Sequence, residues 1–306
     1  MIATLGQQLV NGFTLGGMYA LIALGYTLVY GIMLMINFAH SEMFMGGAFV
    51  GLFVFTALGK IPFFTGSAVG LVLLFALTFL AAGIVIGTLG VLIERIAYRP
   101  LRNAPRLAPL ISAIGMSIFL QQAVLLWITA RQLPFPNFVP AGGLEFGTVT
   151  ISNIQIMIIV TSLVLLVVLD TFVAKTKMGK AMRATSQDRE AAGLMGIDIN
   201  RVIAVAFFIG PALGAAAGIF SGIYYGSIKF DMGFLPGIKS FTAAVIGGIG
   251  NLRGAMLGGF LLGIIEALAA GFLSSGYKDV IAFAILILVL VFRPGGLLGE
   301  SVVEKV

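Results

Sequence analysis

Cysteine is absent from the 306 residues. That excludes a disulfide framework and any thiolate metal site, and leaves the compartment unreadable from redox chemistry. Histidine occurs once, as His40, with Ser41 and Glu42 beside it. Adjacent side chains on a helix point in different directions, so these three do not make a nucleophile, base and orienter set. No Gly-x-x-x-x-Gly-Lys-Ser/Thr run exists; Met178-Gly179-Lys180-Ala181 comes nearest and lacks the hydroxyl. The chain therefore has no phosphate cradle of that kind and no cofactor motif. Charge is scarce as well: 10% of residues are Asp, Glu, Lys or Arg, against about a quarter in soluble domains. Residues 1–10 lack a basic leader region, so the opening apolar run is expected to be retained as a span.

Apolar residues take the place of charge. Hydrophobic residues make up 59% of the chain and the mean hydropathy is +1.11, values that define a polytopic membrane protein. Apolar runs near 9–33, 43–58, 67–93, 108–129, 152–173, 202–226, 240–273 and 280–293 have the length needed to cross a bilayer. The fold class expected is an all-α transmembrane bundle of about eight spans, forming one transmembrane domain over residues 1–306. The seventh run is too long for one crossing; the carboxyl tail falls on the outer side if it crosses once and on the inner side if twice.

Basic residues weigh on alternate connections: Arg95, Arg99, Arg102 and Arg106, then six cations within residues 174–201. Lys60, Arg131 and the connection at 229–239 lie on the sparser side. The net charge of +6 is thus the excess of cations facing the cytoplasm, not a nucleic-acid surface. The neutral tail, with Arg293 and Lys305 against Glu300 and Glu304, does not arbitrate its own side.

Two places read as helix breaks, an arrangement that hints at an inverted repeat. Residues 36–42 set Asn37, His40, Ser41 and Glu42 between apolar runs, and residues 247–254 carry Gly247, Gly248, Gly250, Asn251, Arg253 and Gly254. Unpaired backbone is costly in hydrocarbon, so each break must be buried in protein or border a wet path. Asn37, His40, Glu42, Gly247, Gly248, Gly250 and Asn251 are accordingly candidate pathway residues, with polar capping of the break as the other reading. Glu266, deep in the seventh run, joins them. It is expected either protonated and hydrogen-bonded in the bundle or facing the aqueous path or a partner, and too far from Arg253 to pair with it. Gln121 and Gln122 are expected to bridge helices. Gly210, Gly214, Gly218, Gly222 and Gly226 recur every fourth residue, baring one face for close approach inside the bundle or at a subunit interface.

Residues 174–201 form the one long, densely charged island. Within it Arg189, Glu190, Ala191, Ala192 and Gly196 outline a short helix with an acid near its start and a glycine stop. An element of this kind is suited to docking something in water, although a merely solvated loop has the same composition.

The runs 16–31, 36–42, 93–102, 111–115 and 241–259, in that order, closely resemble the LivH-type permease family of branched-chain amino acid ABC importers, from about residue 7 to the end. The resemblance implies an inner-membrane permease that pairs with a related second permease, two cytoplasmic ATPases and an external or periplasmic solute-binding protein capturing Leu, Ile or Val. Glu190-Ala191-Ala192 and Gly196 are similar to the family's ATPase-coupling motif. The later Ile-x-Leu-Pro part is matched only by Ile209-Gly210-Pro211, a few positions off. Permeases for urea, short amides or other amino acids share the scaffold. A secondary transporter would also show broken helices but needs more ionisable groups at midplane; a channel or a scaffold would not need the charged island.

Overall fold

The computed structural model describes residues 2–102, 104–105, 107–293 and 295–299. Arg106 and the tail residues Glu300, Glu304 and Lys305 lie outside them.

Twelve α-helices and four short strands make up the described chain: α1 (Ile2–Met33), α2 (His40–Leu58), α3 (Pro62–Thr65), α4 (Ala68–Ile93), α5 (Leu107–Trp127), β1 (Leu133–Pro134), β2 (Gly143–Phe146), β3 (Val149–Ser152), α6 (Asn153–Lys175), α7 (Lys177–Gln187), α8 (Arg189–Leu194), α9 (Ile199–Tyr225), β4 (Ser227–Ile228), α10 (Phe234–Gly247), α11 (Leu252–Phe272) and α12 (Lys278–Phe292). A π-helical turn, Glu94–Tyr98, and a 3-10 turn, Arg99–Leu101, extend α4. Among the described residues, eight helices are long and apolar enough to cross a membrane. The protein is a multi-pass membrane protein.

Local chemistry sets most helix starts. Ser67, Thr176, Asp188, Asp198 and Asn251 each accept a hydrogen bond from a backbone N–H in the first turn of the helix that follows. Ser152 and Gln155 form a reciprocal capping box. These side chains satisfy amides that a helix start otherwise leaves bare.

The bundle has two chemically distinct ends. At one, the hairpin end, β2 pairs with β3, β1 pairs with β4, and the Gln7 side chain bonds the backbone of Thr150 in both directions. At the other, the charged end, Arg102 donates to Asn200 at 2.6 Å and pairs with Glu94, and Arg253 grips Asp170 through two hydrogen bonds of 3.0 and 3.1 Å. The basic connections thus gather at one end, with α7 and α8. The starts of α1 and α6 lie at the other.

Helices α1 and α9 are the most enclosed spans, 83% and 72% buried, while α5 and α12 are 6% buried and face outward. Glycine makes this centre possible. Gly12, Gly16 and Ala20 of α1 meet Ile264, Phe260 and Gly259 of α11 in antiparallel contact, and Gly210 of α9 meets Gly25 of α1. Gly214 lies over His40 and Met43, Gly218 over the backbone of Phe44 and Ala48, and Gly222 over the Phe135 ring. Four glycines of the α9 face are therefore used inside the chain. Gly226 is not part of that face: its φ of +69° is the left-handed stop of α9.

Two helices start inside the bundle. After Met33, Leu34 takes φ +53° and residues 34–39 turn back to the level of Gly25, where α2 begins with His40 against Tyr26. The turn satisfies its own amides: His40 donates to Asn37 O, Ser41 to Phe38 O and Glu42 to Ala39 O. Following β4, residues 229–233 likewise descend from the hairpin end, and α10 starts with Gly233 and Gly237 against Ser41. Helices α2 and α10 thus meet head to head.

The glycine-rich stretch at 247–251 is placed differently from the expectation of a break at membrane depth. It is the turn between α10 and α11 at the charged end. Gly248 and Gly250 adopt φ of +105° and +97°, and Leu297 N–H and Leu298 N–H close onto Ile246 O and Gly247 O. The long seventh run is consequently two helices, and α12 returns the chain to the charged end. Lys239 is not part of a connection either; it lies in the middle of α10, 2% exposed.

Gly218 is among the tightest approaches, since a Cβ there would overlap the Phe44 carbonyl. Gly218→Val should lower the thermal midpoint of the solubilised protein through overpacking of about 1–3 kcal/mol. Gly115→Ala, whose added methyl meets nothing within 4 Å, should leave the midpoint unchanged or raised. Heating followed by size exclusion checks both.

Candidate functional site

A cavity of about 690 Å³ enters from the hairpin end. Its mouth is set by Gln132, Ser227 and the Lys229–Asp231 ion pair of 3.0 Å; α5 contributes Gln121 and α9 contributes Ser221 and Tyr225. Tyr19, Lys239 and Glu266 form the floor.

The floor is a linked set of charges. Lys239 Nζ lies 2.7 Å from Glu266 Oε1 and 2.5 Å from Asp279 Oδ1, and the Tyr19 hydroxyl donates to Glu266 Oε2 at 2.9 Å. The side chains of Lys239 and Glu266 are 3% and 4% exposed and that of Asp279 is 37% exposed. A charge at this depth is tolerable only when paired. Here one ammonium has two carboxylate partners, drawn from α10, α11 and the start of α12. Glu266 is thus hydrogen-bonded inside the bundle, to Lys239 and Tyr19, and it also borders the cavity. It does not reach Arg253, which holds Asp170 instead.

Other sequence candidates fall elsewhere. Asn37 accepts from the Tyr98 hydroxyl at 2.7 Å, 4% exposed. His40 packs edge-on against Tyr26 at 4.7 Å, and neither ring nitrogen has a hydrogen-bond partner among the described residues. Glu42 occupies the first turn of α2, where the helix dipole favours an acid. Its Oε1 accepts from Ser117 at 3.1 Å and from Ser41 at 3.3 Å, and its Oε2 has no partner among the described residues. These three residues form the head of α2 and do not line the cavity. Gly247, Gly248, Gly250 and Asn251 are also remote from it, in the turn at the charged end.

At that end the charged island is largely helical. Asp188 accepts from Ala191 N–H to start α8, and Gly196, with φ of +82°, ends it. Glu190 is in the first turn of α8 and Ala192, 4% exposed, packs inward. Arg189 reaches back into the bundle and donates to Ile32 O at the end of α1. Burial, followed by the neighbouring Arg102, lowers its proton affinity below the usual guanidinium value. Leu194 and Met195 project outward, 89% and 84% exposed.

Sequence reasoning passed over Tyr19, Lys239 and Asp279. Their signal was faint because partners 27 and 247 positions apart in the chain meet only after folding. One clue was available: a lysine eight positions before the Gly-rich turn at 247–251, with Thr242 and Ala243 three and four residues on, sits in a helix pattern and not in a loop.

The chain matches the family described as branched-chain amino acid transport system / permease component over residues 8–290. It is 50% identical over 305 residues to the high-affinity branched-chain amino acid transport system permease protein BraD of Pseudomonas aeruginosa, covering 98% of this chain and 97% of that protein. Identity is 47% over 304 residues to the LivH permease protein of Escherichia coli K12, with 98% and 97% covered. A probable LivH of Methanocaldococcus jannaschii is 26% identical over 325 residues, 98% of this chain and 95% of that one. No solved structure matches. With these matches, the bundle of membrane-spanning helices, two of which start inside it beside an open cavity, is that of a membrane permease. The chain belongs to the branched-chain amino acid transport permease family.

Removing one member of the floor should cost more than removing the pair. Lys239→Met leaves buried Glu266 unpaired and should destabilise by about 3–5 kcal/mol. Lys239→Met with Glu266→Gln leaves no bare buried charge and should recover most of that loss. Thermal midpoints of the two variants in detergent check the order.

Proposed function

We propose that this chain is the permease subunit of an ABC importer that moves branched-chain amino acids, Leu, Ile and Val, across the inner membrane. It is a transport subunit, not an enzyme; ATP is hydrolysed by two partner ATPases at the charged end, which faces the cytoplasm. A second related permease completes the pathway, and an external or periplasmic binding protein delivers solute to the hairpin end.

One observation carries the reading beyond family membership: α8 presents Leu194 and Met195 to solvent while Arg189 anchors the same helix to the end of α1. Two large apolar side chains in water, on the wet side of a membrane protein, favour a partner's groove. A short helix fixed at its base and apolar at its tip transmits force. Arg189, Glu190, Ala191, Ala192 and Gly196 are its coupling residues, within the cytoplasmic segment 174–201. The positive-inside distribution supports the same side, since Arg95, Arg99 and Arg102 share that end.

In this mechanism, closure of the ATPases displaces α8, the displacement passes to α1 through Arg189, and α1 carries it to α9, α11 and the cavity floor. The cavity is the outward vestibule. Glu42 and the head-to-head starts of α2 and α10 form the constriction below it, where a small shift between two half-helices opens or closes the path. The turn at Gly247, Gly248, Gly250 and Asn251 borders the inner exit. Permeases for urea, short amides or other amino acids would use the same scaffold; competition by such solutes decides between them.

Glu190→Lys should reduce binding-protein-dependent leucine uptake at least about tenfold, equivalent to about 1.4 kcal/mol of lost coupling, with membrane insertion intact. Uptake of labelled leucine by the reconstituted complex, with isoleucine, valine and urea as competitors, checks both the solute and the role of Glu190. Uptake equal to the unmodified complex would remove Glu190 from coupling.

A further inference from the structure

Buried ion pairs seldom stabilise a fold better than apolar packing of the same volume, and ionisable groups inside a membrane tend to mark function. The Lys239 cluster has a composition that structure alone does not require. Glu266 alone balances the charge of the ammonium, yet Asp279 is a second partner at 2.5 Å, partly exposed at 37%. The set joins one ammonium to two carboxylates, and Lys278, next to Asp279 in the chain, lines the same cavity. It borders a cavity of about 690 Å³, within the size range of small-molecule sites.

We propose that this cavity is a substrate-binding site within the permease itself, selective for a zwitterionic amino acid with an apolar side chain; the proposal rests on the transport reading above. The substrate carboxylate takes the place of Asp279 at Lys239 Nζ. The substrate ammonium is held by the displaced Asp279 and by Glu266, whose second oxygen stays fixed by Tyr19. Each buried charge exchanges one opposite charge for another, so none is bare at any stage. A solute carrying only an amine or only a carboxylate leaves one partner unpaired and is rejected. Met232, Phe234 and Leu235 give the cavity its apolar wall, which receives a branched aliphatic side chain. Asp279 is the exchangeable member because it is the exposed one.

The test is equilibrium binding of labelled leucine to the full complex in lipid nanodiscs with the binding protein omitted. Saturable binding is expected, displaced by valine but not by isopentylamine, which lacks the carboxylate, or 4-methylpentanoate, which lacks the ammonium. The double variant Lys239→Met, Glu266→Gln, which leaves only the partly exposed Asp279 without its partner, should still co-elute with its ATPases and bind leucine at least about tenfold more weakly. Should that variant fail to assemble, Asp279→Asn decides at the second partner of Lys239: weakened binding supports the site and unchanged binding overturns it. Absence of saturable binding, equal displacement by the singly charged analogues, or full affinity in the assembled double variant also overturns it. Leucine uptake by the unmodified complex with its binding protein reports separately on the transport reading, which can stand even if this site falls.

Discussion

Lipid gives helices no hydrophobic reason to associate, so the bundle depends on backbones approaching closely enough for van der Waals contact and on polar groups finding partners. Here the approach is made by glycines on α1, α9 and α11, which admit α2 and α10 between them. The two half-helices can start inside the membrane only because that packing encloses them and because their first-turn amides are satisfied by the turns preceding them. Everything functional hangs from this arrangement. The proposed constriction is where α2 and α10 meet, and the cavity floor is where α10 meets α11, α12 and α1.

A single element links the two ends. Helix α1 runs from the Gln7–Thr150 contact at the hairpin end, past Tyr19 and Gly25, to Ile32, which receives Arg189. It touches the cavity floor, the head of α2 and the base of α8 in turn. Packed helices transmit displacement as rigid bodies because their interfaces are dense and bistable, not soft. In the proposed mechanism a push on α8 is felt at Glu266 without any contact between the two. The polar floor and the apolar tip at Leu194 and Met195 are, in that proposal, the two interfaces, one for solute and one for the motor.

Much of this was legible in the chain. The spans follow from length and hydropathy, and the charged island with its Glu190-to-Gly196 helix from composition and a glycine stop. The break before α2 follows from four polar residues in an apolar context. Other features needed the fold. Lys229, Asp231 and Lys239 look like one solvated connection, yet the first two pair at the cavity mouth and the third is buried, because Glu266 and Asp279 neutralise it across the interface. Residues 247–251 look like a break at membrane depth because hydropathy averages across a tight turn between two apolar helices. Gly226 shares the four-residue spacing of the α9 face but serves to end the helix. In each case the missing information was a contact between residues distant in sequence, which periodicity does not encode.

The central claim is that the end bearing α8 faces the cytoplasm and its tip is held by an ATPase. Because the chain has no cysteine, Leu194→Cys supplies a unique thiol for an impermeant maleimide. The account predicts no labelling in intact right-side-out cells, labelling in inverted vesicles stripped of the ATPases, and protection when the ATPases are restored. Labelling from the outer face of intact cells, or equal labelling with and without the ATPases, would contradict it.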